Sequence, residues 1–212
     1  EKIPEDLLKK YIMKLKQSMD LEMDDEQFFL DHETGVRSYY YTFLMSFADY
    51  LIRREMYQNA IPLLDLALTI TDSGDIHALS LKGVCLMNTG NIKQAEDLFL
   101  KLYTQDNGNY ANIFNLASLY FGKGELKKSK KYIKEILALK NNFAKSYFLL
   151  GKIYSEEGNY DQSIKEISYA IEKTNFIPEK KKMQAVLERV KKLMIESTAD
   201  TESVQRSASS NS

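Results

Sequence analysis

The feature that most constrains this chain is a pattern that returns every 34 residues. Between Ala144 and Ile177 the sequence AKSYFLLGKIYSEEGNYDQSIKEISYAIEKTNFI reads as two amphipathic helices joined at Gly158-Asn159. Tyr147, Leu150, Gly151 and Tyr154 share one face of the first helix, and Ile164, Ile167, Ala170 and Ile171 share one face of the second. A shift of 34 residues towards the N-terminus turns Gly151 into Ala117, Tyr154 into Tyr120 and Gly158 into Gly124. The same shift turns Ser163 into Ser129, Ile167 into Ile133 and Ala170 into Ile136. A further 34 reaches Gly83, Leu86, Gly90, Ala95, Phe99 and Leu102; a last step, of 35, reaches Ala48, Leu51, Glu55, Ala60, Leu64 and Ala67. A sustained period of this length means helical hairpins stacked side by side, each burying its apolar face on its neighbours. The expected fold is all-α, a solenoid of four hairpins.

The residue types at these places resemble the tetratricopeptide repeat, whose signature runs aromatic, Leu-Gly, Tyr, then Ala and Phe. The best copy supplies Tyr147, Leu150-Gly151 and Tyr154, followed by Ser163, Ile167 and Ala170. Small residues at Ala48, Gly83, Ala117 and Gly151 let a first helix approach its neighbour closely. Lys82 departs from the pattern where the other copies carry Phe47, Leu116 and Leu150, and Glu55 replaces the turn glycine. The resemblance covers residues 41–177, divided as 41–75, 76–109, 110–143 and 144–177, and implies a right-handed superhelical solenoid.

The flanks differ from the repeats. Leu7, Leu8, Tyr11, Ile12, Leu15 and Met19 form an apolar stripe on a helix spanning 5–19. An acidic connector, Asp20 to Glu33, completes an N-terminal segment of residues 1–40; it lacks the spacing and central glycine of a calcium loop. Its Phe28, Phe29 and Leu30 are expected to dock on the first repeat, whose opening helix is rich in aromatics from Tyr39 to Tyr50. Pro62 is tolerable in the second helix if that helix begins near Gln58. At the other end Pro178 opens a capping helix, 178–196, with Met183, Val186, Leu187, Val190 and Leu193 on its apolar stripe. Residues 197–212 lack periodicity and apolar content, and are expected to be disordered.

The 212 residues carry a formal net charge of −1, which favours neither nucleic acid nor an anionic membrane. No apolar run approaches the length of a transmembrane helix, and direct membrane insertion is not expected. One cysteine, Cys85, excludes an internal disulfide framework and fits a reducing compartment, the cytoplasm. A signal or anchor preceding Glu1 is left open by the sequence.

His32 and His77 have no zinc-type partners, Gly122 and Gly124 belong to a helix–helix turn, and the reading is a non-enzyme with no cofactor and no metal. Lys127, Lys128, Lys130, Lys131 and Lys134 lie on a second helix without interleaved aromatics, and read as a solvated face rather than a nucleic-acid site.

What remains is a binding surface. The resemblance implies that first helices line a concave groove, projecting Met45, Asp49 and Ile52; Ser80, Val84 and Met87; Phe114, Ser118 and Phe121; and Phe148, Lys152 and Ser155 into it. Met and Phe dominate, so the expected partner is a protein or peptide with an apolar or amphipathic segment. The Lys, Arg and Asn ring by which some relatives hold an acidic chaperone C-terminus is absent; Asn115 and Lys145 are present, but Met45, Asp49, Ser80 and Val84 fill other places. The arrangement of N-terminal helix, repeats from Tyr41, and charged closing helix with polar tail also resembles the type III secretion translocator chaperones, which keep a client's hydrophobic segment soluble until export. The alternative is a self-associating scaffold, a homodimer joined through the 5–19 stripe.

Overall fold

A computed structural model describes residues 33–71 and 74–209, with side chains described over 41–71 and 74–199. The stripe at 5–19 and the acidic connector up to 32 lie outside the described residues. The described chain is helical: α1 (Glu33–Arg53), α2 (Tyr57–Ile70), α3 (Ile76–Asn88), α4 (Ile92–Gln105), α5 (Tyr110–Gly122), α6 (Leu126–Leu139), α7 (Ala144–Glu156), α8 (Tyr160–Lys173) and α9 (Ile177–Ser209). It divides into two compact units, residues 1–98 and 99–212, with α4 running across the division.

In every hairpin the first helix ends the same way. Its chain reverses through a left-handed residue: Glu55 (φ 60°), Gly90 (84°), Gly124 (73°) and Gly158 (74°). The following amide then reaches back five residues, Met56 to Leu51, Asn91 to Leu86, Glu125 to Tyr120 and Asn159 to Tyr154, at 2.8–2.9 Å. The left-handed residue itself donates three residues back, as Gly158 does to Ser155 at 3.1 Å. This pair of bonds satisfies carbonyls that a helix end leaves orphaned, and glycine reaches the required φ without steric cost. Glu55 adopts that conformation despite its Cβ.

In the first unit α1 packs on α2, and α3 packs on α2 and touches α1. Leu44, Ala48, Leu51, Ala60, Leu63, Leu64, Ala67, Ala78 and Cys85 form its core. Asp75 caps α3 by accepting from the His77 and Ala78 amides at 2.7 and 3.2 Å, and also accepts from the Tyr41 hydroxyl on α1. Burial pushes the Tyr41 hydroxyl up to about 12, aided by its bond to Asp75. Burial opposes the Asp75 charge, but the hydrogen bonds it accepts outweigh that and hold its carboxyl below the usual range. Lys82, the departure from the apolar pattern, does not fill a core gap; its ammonium pairs with Asp65 of α2 at 2.6 Å. α2 begins at Tyr57, so Pro62 falls in its second turn with no N–H for the Gln58 carbonyl. Both residues are exposed, which leaves that carbonyl to solvent.

In the second unit α5 packs on α6 and α7 on α8, α7 rests on α6 and touches α5, and α9 closes against α8. Ile113, Leu116, Ala117, Leu119, Ile133, Ile136, Ile153 and Ile167 are buried here together with Phe99 and Leu102. Each hairpin carries an identical clasp. The Ser129 hydroxyl donates to the Ala117 carbonyl, and the Ser163 hydroxyl to the Gly151 carbonyl, both at 2.7 Å and fully buried. Of the stripe on α9, Met183 and Val190 are buried and Val186, Leu187 and Leu193 half-buried. The Thr174 hydroxyl, bonded to the Ala170 carbonyl at 2.8 Å, lies 3.6 Å from the Met183 sulfur and ties the end of α8 to α9.

The last helix continues to Ser209, through the stretch whose polar composition predicted disorder. Composition excludes a packed core, but helix propagation needs only local hydrogen bonds, and no Gly or Pro interrupts residues 179–209.

A Cβ added at Gly151 would lie 2.5 Å from Ile167 Cγ1 and 3.1 Å from the Ser163 carbonyl oxygen. Gly151→Ala should therefore destabilise the protein by ~1–3 kcal/mol. Glu55→Gly should instead stabilise it, by up to about 1 kcal/mol, because a left-handed backbone strains an L residue. Thermal unfolding of the two variants checks both signs.

Candidate functional site

Repeat position points to the side chains that stand on the outer surface of the first helices in each unit. In the first unit Asp49, Ile52, Ser80, Val84 and Met87 are half-buried. Met45 is not a surface residue: at 8% exposure it belongs to the core beside Leu44 and Ala48. A rotation of a few tens of degrees about the α1 axis separates groove from core, and sequence period alone does not resolve it. Asp49 is paired with Arg53 one turn later at 2.6 Å, so its charge is locally answered.

The second unit gathers its predicted residues more closely. Phe114, Ser118 and Phe121 on α5, and Phe148, Lys152 and Ser155 on α7, are all half-buried, partly covered yet still reachable. The two helices touch through this face: the Lys152 ammonium sits 4.5 Å from the centre of the Phe121 ring. Such stacking keeps the cation partly desolvated against an aromatic quadrupole. Burial, and after it the charge of Lys182 on α9, lower the Lys152 pKa below the usual lysine range, with Glu156 opposing the shift.

Phe143 and Tyr110 complete the surface, and sequence reasoning did not single them out. Asp75 and Asn109 occupy the cap position of α3 and α5, where Asn109 accepts from the Ala111 and Asn112 amides at 3.1 and 3.2 Å. The next repeat puts Phe143 in that place, and α7 has no side-chain cap. Its ring instead meets Phe114 edge-on at 5.5 Å and Tyr110 at 5.1 Å. Lys140 lies over Tyr110 at 4.4 Å and donates to its hydroxyl at 3.0 Å. The signal was legible as a break in the repeat: an aromatic where a capping Asp or Asn recurs. One repeat further the position is Ile177, 66% exposed, preceded by Phe176 at 56%.

The edge of this face is α9. Glu179 in its first turn pairs with Lys145 in the first turn of α7 at 3.0 Å. α9 thus stands beside α7 as a further first helix would.

The lysines of α6 are largely occupied. Lys128 pairs with Glu125 at 2.6 Å and lies 4.9 Å from the Tyr120 ring; Lys130 pairs with Glu157 at 2.5 Å and lies 4.5 Å from Tyr154. Aromatic rings are therefore present beside this lysine run, but they are used within the unit. Among the described residues no three His, Cys, Asp or Glu side chains gather as a metal site, and no helix is long and apolar enough to cross a membrane. Cys85 is fully buried, and burial pushes its thiol up to about 11.

The tetratricopeptide repeat family model matches residues 110–143 and 144–172, the hairpins α5–α6 and α7–α8. Among solved structures, a thermophilic tetratricopeptide-repeat protein of Thermus thermophilus aligns at 17% identity and TM-score 0.63, over 71% of this chain and 80% of its own. MamA of Desulfovibrio magneticus RS-1 aligns at 18% identity and TM-score 0.54, over 82% of this chain and 98% of its own. The type III secretion translocator chaperone SycD of Yersinia enterocolitica aligns at 14% identity and TM-score 0.49, over 58% of this chain and 91% of its own, a likeness too distant to transfer a role. No curated protein matches. The first two likenesses establish the fold, and the surface chemistry is this chain's own.

Because α9 both covers α8 and borders this face, removing residues 177–212 should lower hydrogen-exchange protection of Tyr160–Lys173. Removing only 200–212 should leave that protection unchanged, since Met183 and Val190 are the buried side chains of α9 among the described residues.

Proposed function

The chain being a tetratricopeptide-repeat protein, we propose that it is a non-enzymatic module that holds an apolar or amphipathic segment of a partner protein against its first helices. The observation that carries this reading is the half-covered aromatic surface of α5 and α7. Phe114, Phe121 and Phe148 stand at places where the repeat does not need them for its core, which is built from Ile113, Leu116, Leu119, Leu149 and Ile153. Rings left half-exposed on a rigid scaffold bury a partner's apolar side chains at low entropic cost. Phe121 and Phe148 are the principal anchors; Phe114, braced edge-on by Phe143, is a rigid wall beside them. Ser118 and Ser155 supply hydroxyls at the polar margin. Ile52, Val84 and Met87 are half-buried apolar side chains on the first helices of the first unit. A buried, protonated Cys85 is compatible with work in a reducing compartment such as the cytoplasm.

Peptides selected by display on the full-length chain provide the ligand for a test. Phe121→Ala and Phe148→Ala should each weaken binding of a selected apolar peptide by about 1.5–3 kcal/mol, with circular dichroism unchanged. Unchanged affinity in both variants, with the fold intact, would remove this face from the binding site.

A further inference from the structure

Resting on the reading of the α5–α7–α9 face as a peptide-binding surface, we propose that it receives a carboxylate side chain of the partner between Lys152 and Lys182, next to the apolar residue seated on the phenylalanines. Lys123, Lys130 and Lys145 each have a carboxylate within reach, at 2.8, 2.5 and 3.0 Å. Lys152, in the middle of α7 and half-buried, has the Phe121 ring instead. Among the described residues neither Lys152 nor Lys182 makes an ion pair. Glu156, one turn beyond Lys152, influences its charge without pairing with it.

The chemistry of the partner follows from desolvation. A purely apolar segment laid across Phe121 and Phe148 would strip the remaining water from the Lys152 ammonium and offer it nothing in return. Burying an unpaired cation is costly, and the like charge of Lys182 adds to that cost. An Asp or Glu beside the apolar anchor answers both lysines, and the aromatic wall makes the charge pair less screened than one on open surface. Lys182 lies in the second turn of α9, near the end whose helix dipole has the same sign. The pairing of an apolar anchor with an adjacent acid thereby becomes a specificity rule: it rejects basic segments and disfavours purely apolar ones.

The test is a selection of random peptides by display on the full-length chain, on Lys152→Gln/Lys182→Gln, and on Lys152→Arg/Lys182→Arg as a charge-keeping control. Wild-type and Arg-variant binders should be enriched in an Asp or Glu beside an aliphatic or aromatic residue. Gln-variant binders should keep the apolar residue and lose the acid. For a peptide selected on wild type, the double Gln variant should bind about three- to tenfold more weakly, the scale of two partly exposed charge pairs. Replacing the peptide's acid by its amide should abolish that difference. Apolar enrichment without acid, or acid enrichment that survives in the Gln variant, overturns the proposal while leaving the peptide-binding reading standing. Absence of apolar enrichment on wild type overturns that reading, and this one with it.

Discussion

The second unit depends on how closely its paired helices approach within each hairpin. Ala117 faces Ser129, and Gly151 faces Ser163, with no room for a larger side chain; a Cβ at Gly151 would already collide with Ile167. Close approach brings a serine hydroxyl within 2.7 Å of a helical carbonyl, so a buried polar group is satisfied by the same contact that requires small residues. This clasp sets the spacing of the helices. With spacing fixed, Ile133, Ile136, Ile153 and Ile167 fill the interior, and the faces of α5 and α7 turned away from it carry side chains the core does not need.

The proposed function follows from that division of labour. The turn motif and the apolar layer recur in all four hairpins and the clasp in the two of the second unit, while the outer positions vary: Asp49, Val84, Ser118 and Lys152 occupy one repeat position in turn. A scaffold whose stability rests on the recurring positions can change its outer residues at small cost, which suits a recognition surface. In the second unit those residues are Phe114, Phe121 and Phe148 with Ser118, Ser155 and one half-buried lysine, Lys152, and the proposed recognition of partner segments rests on this combination.

Much of the fold was legible because its determinants are local and periodic. Gly90, Gly124 and Gly158 marked turns that need a left-handed residue, and even Glu55, the exception, adopts the same conformation. The site was less legible. Met45 and Ser80 occupy the same repeat position, yet one is core and the other half-buried, because the neighbours of α1 decide its rotation and those lie elsewhere in the chain. Phe143 was hidden for a different reason: its role arises from contacts with Tyr110 and Phe114, some thirty residues away. The run of α9 to Ser209 is a matter of another kind, because composition reports on burial whereas helix continuation depends on the absence of breakers.

Whether a partner segment lies on the first helices of the second unit is tested most directly by amide NMR on the full-length, isotope-labelled chain. Titration with a display-selected peptide should shift amides around Phe114–Phe121, Phe148–Lys152 and Lys182, leaving those of the exposed Lys127, Lys134 and Ser168 on α6 and α8 unmoved. Shifts concentrated on α6 and α8, with the α5–α7 face silent, would contradict that placement.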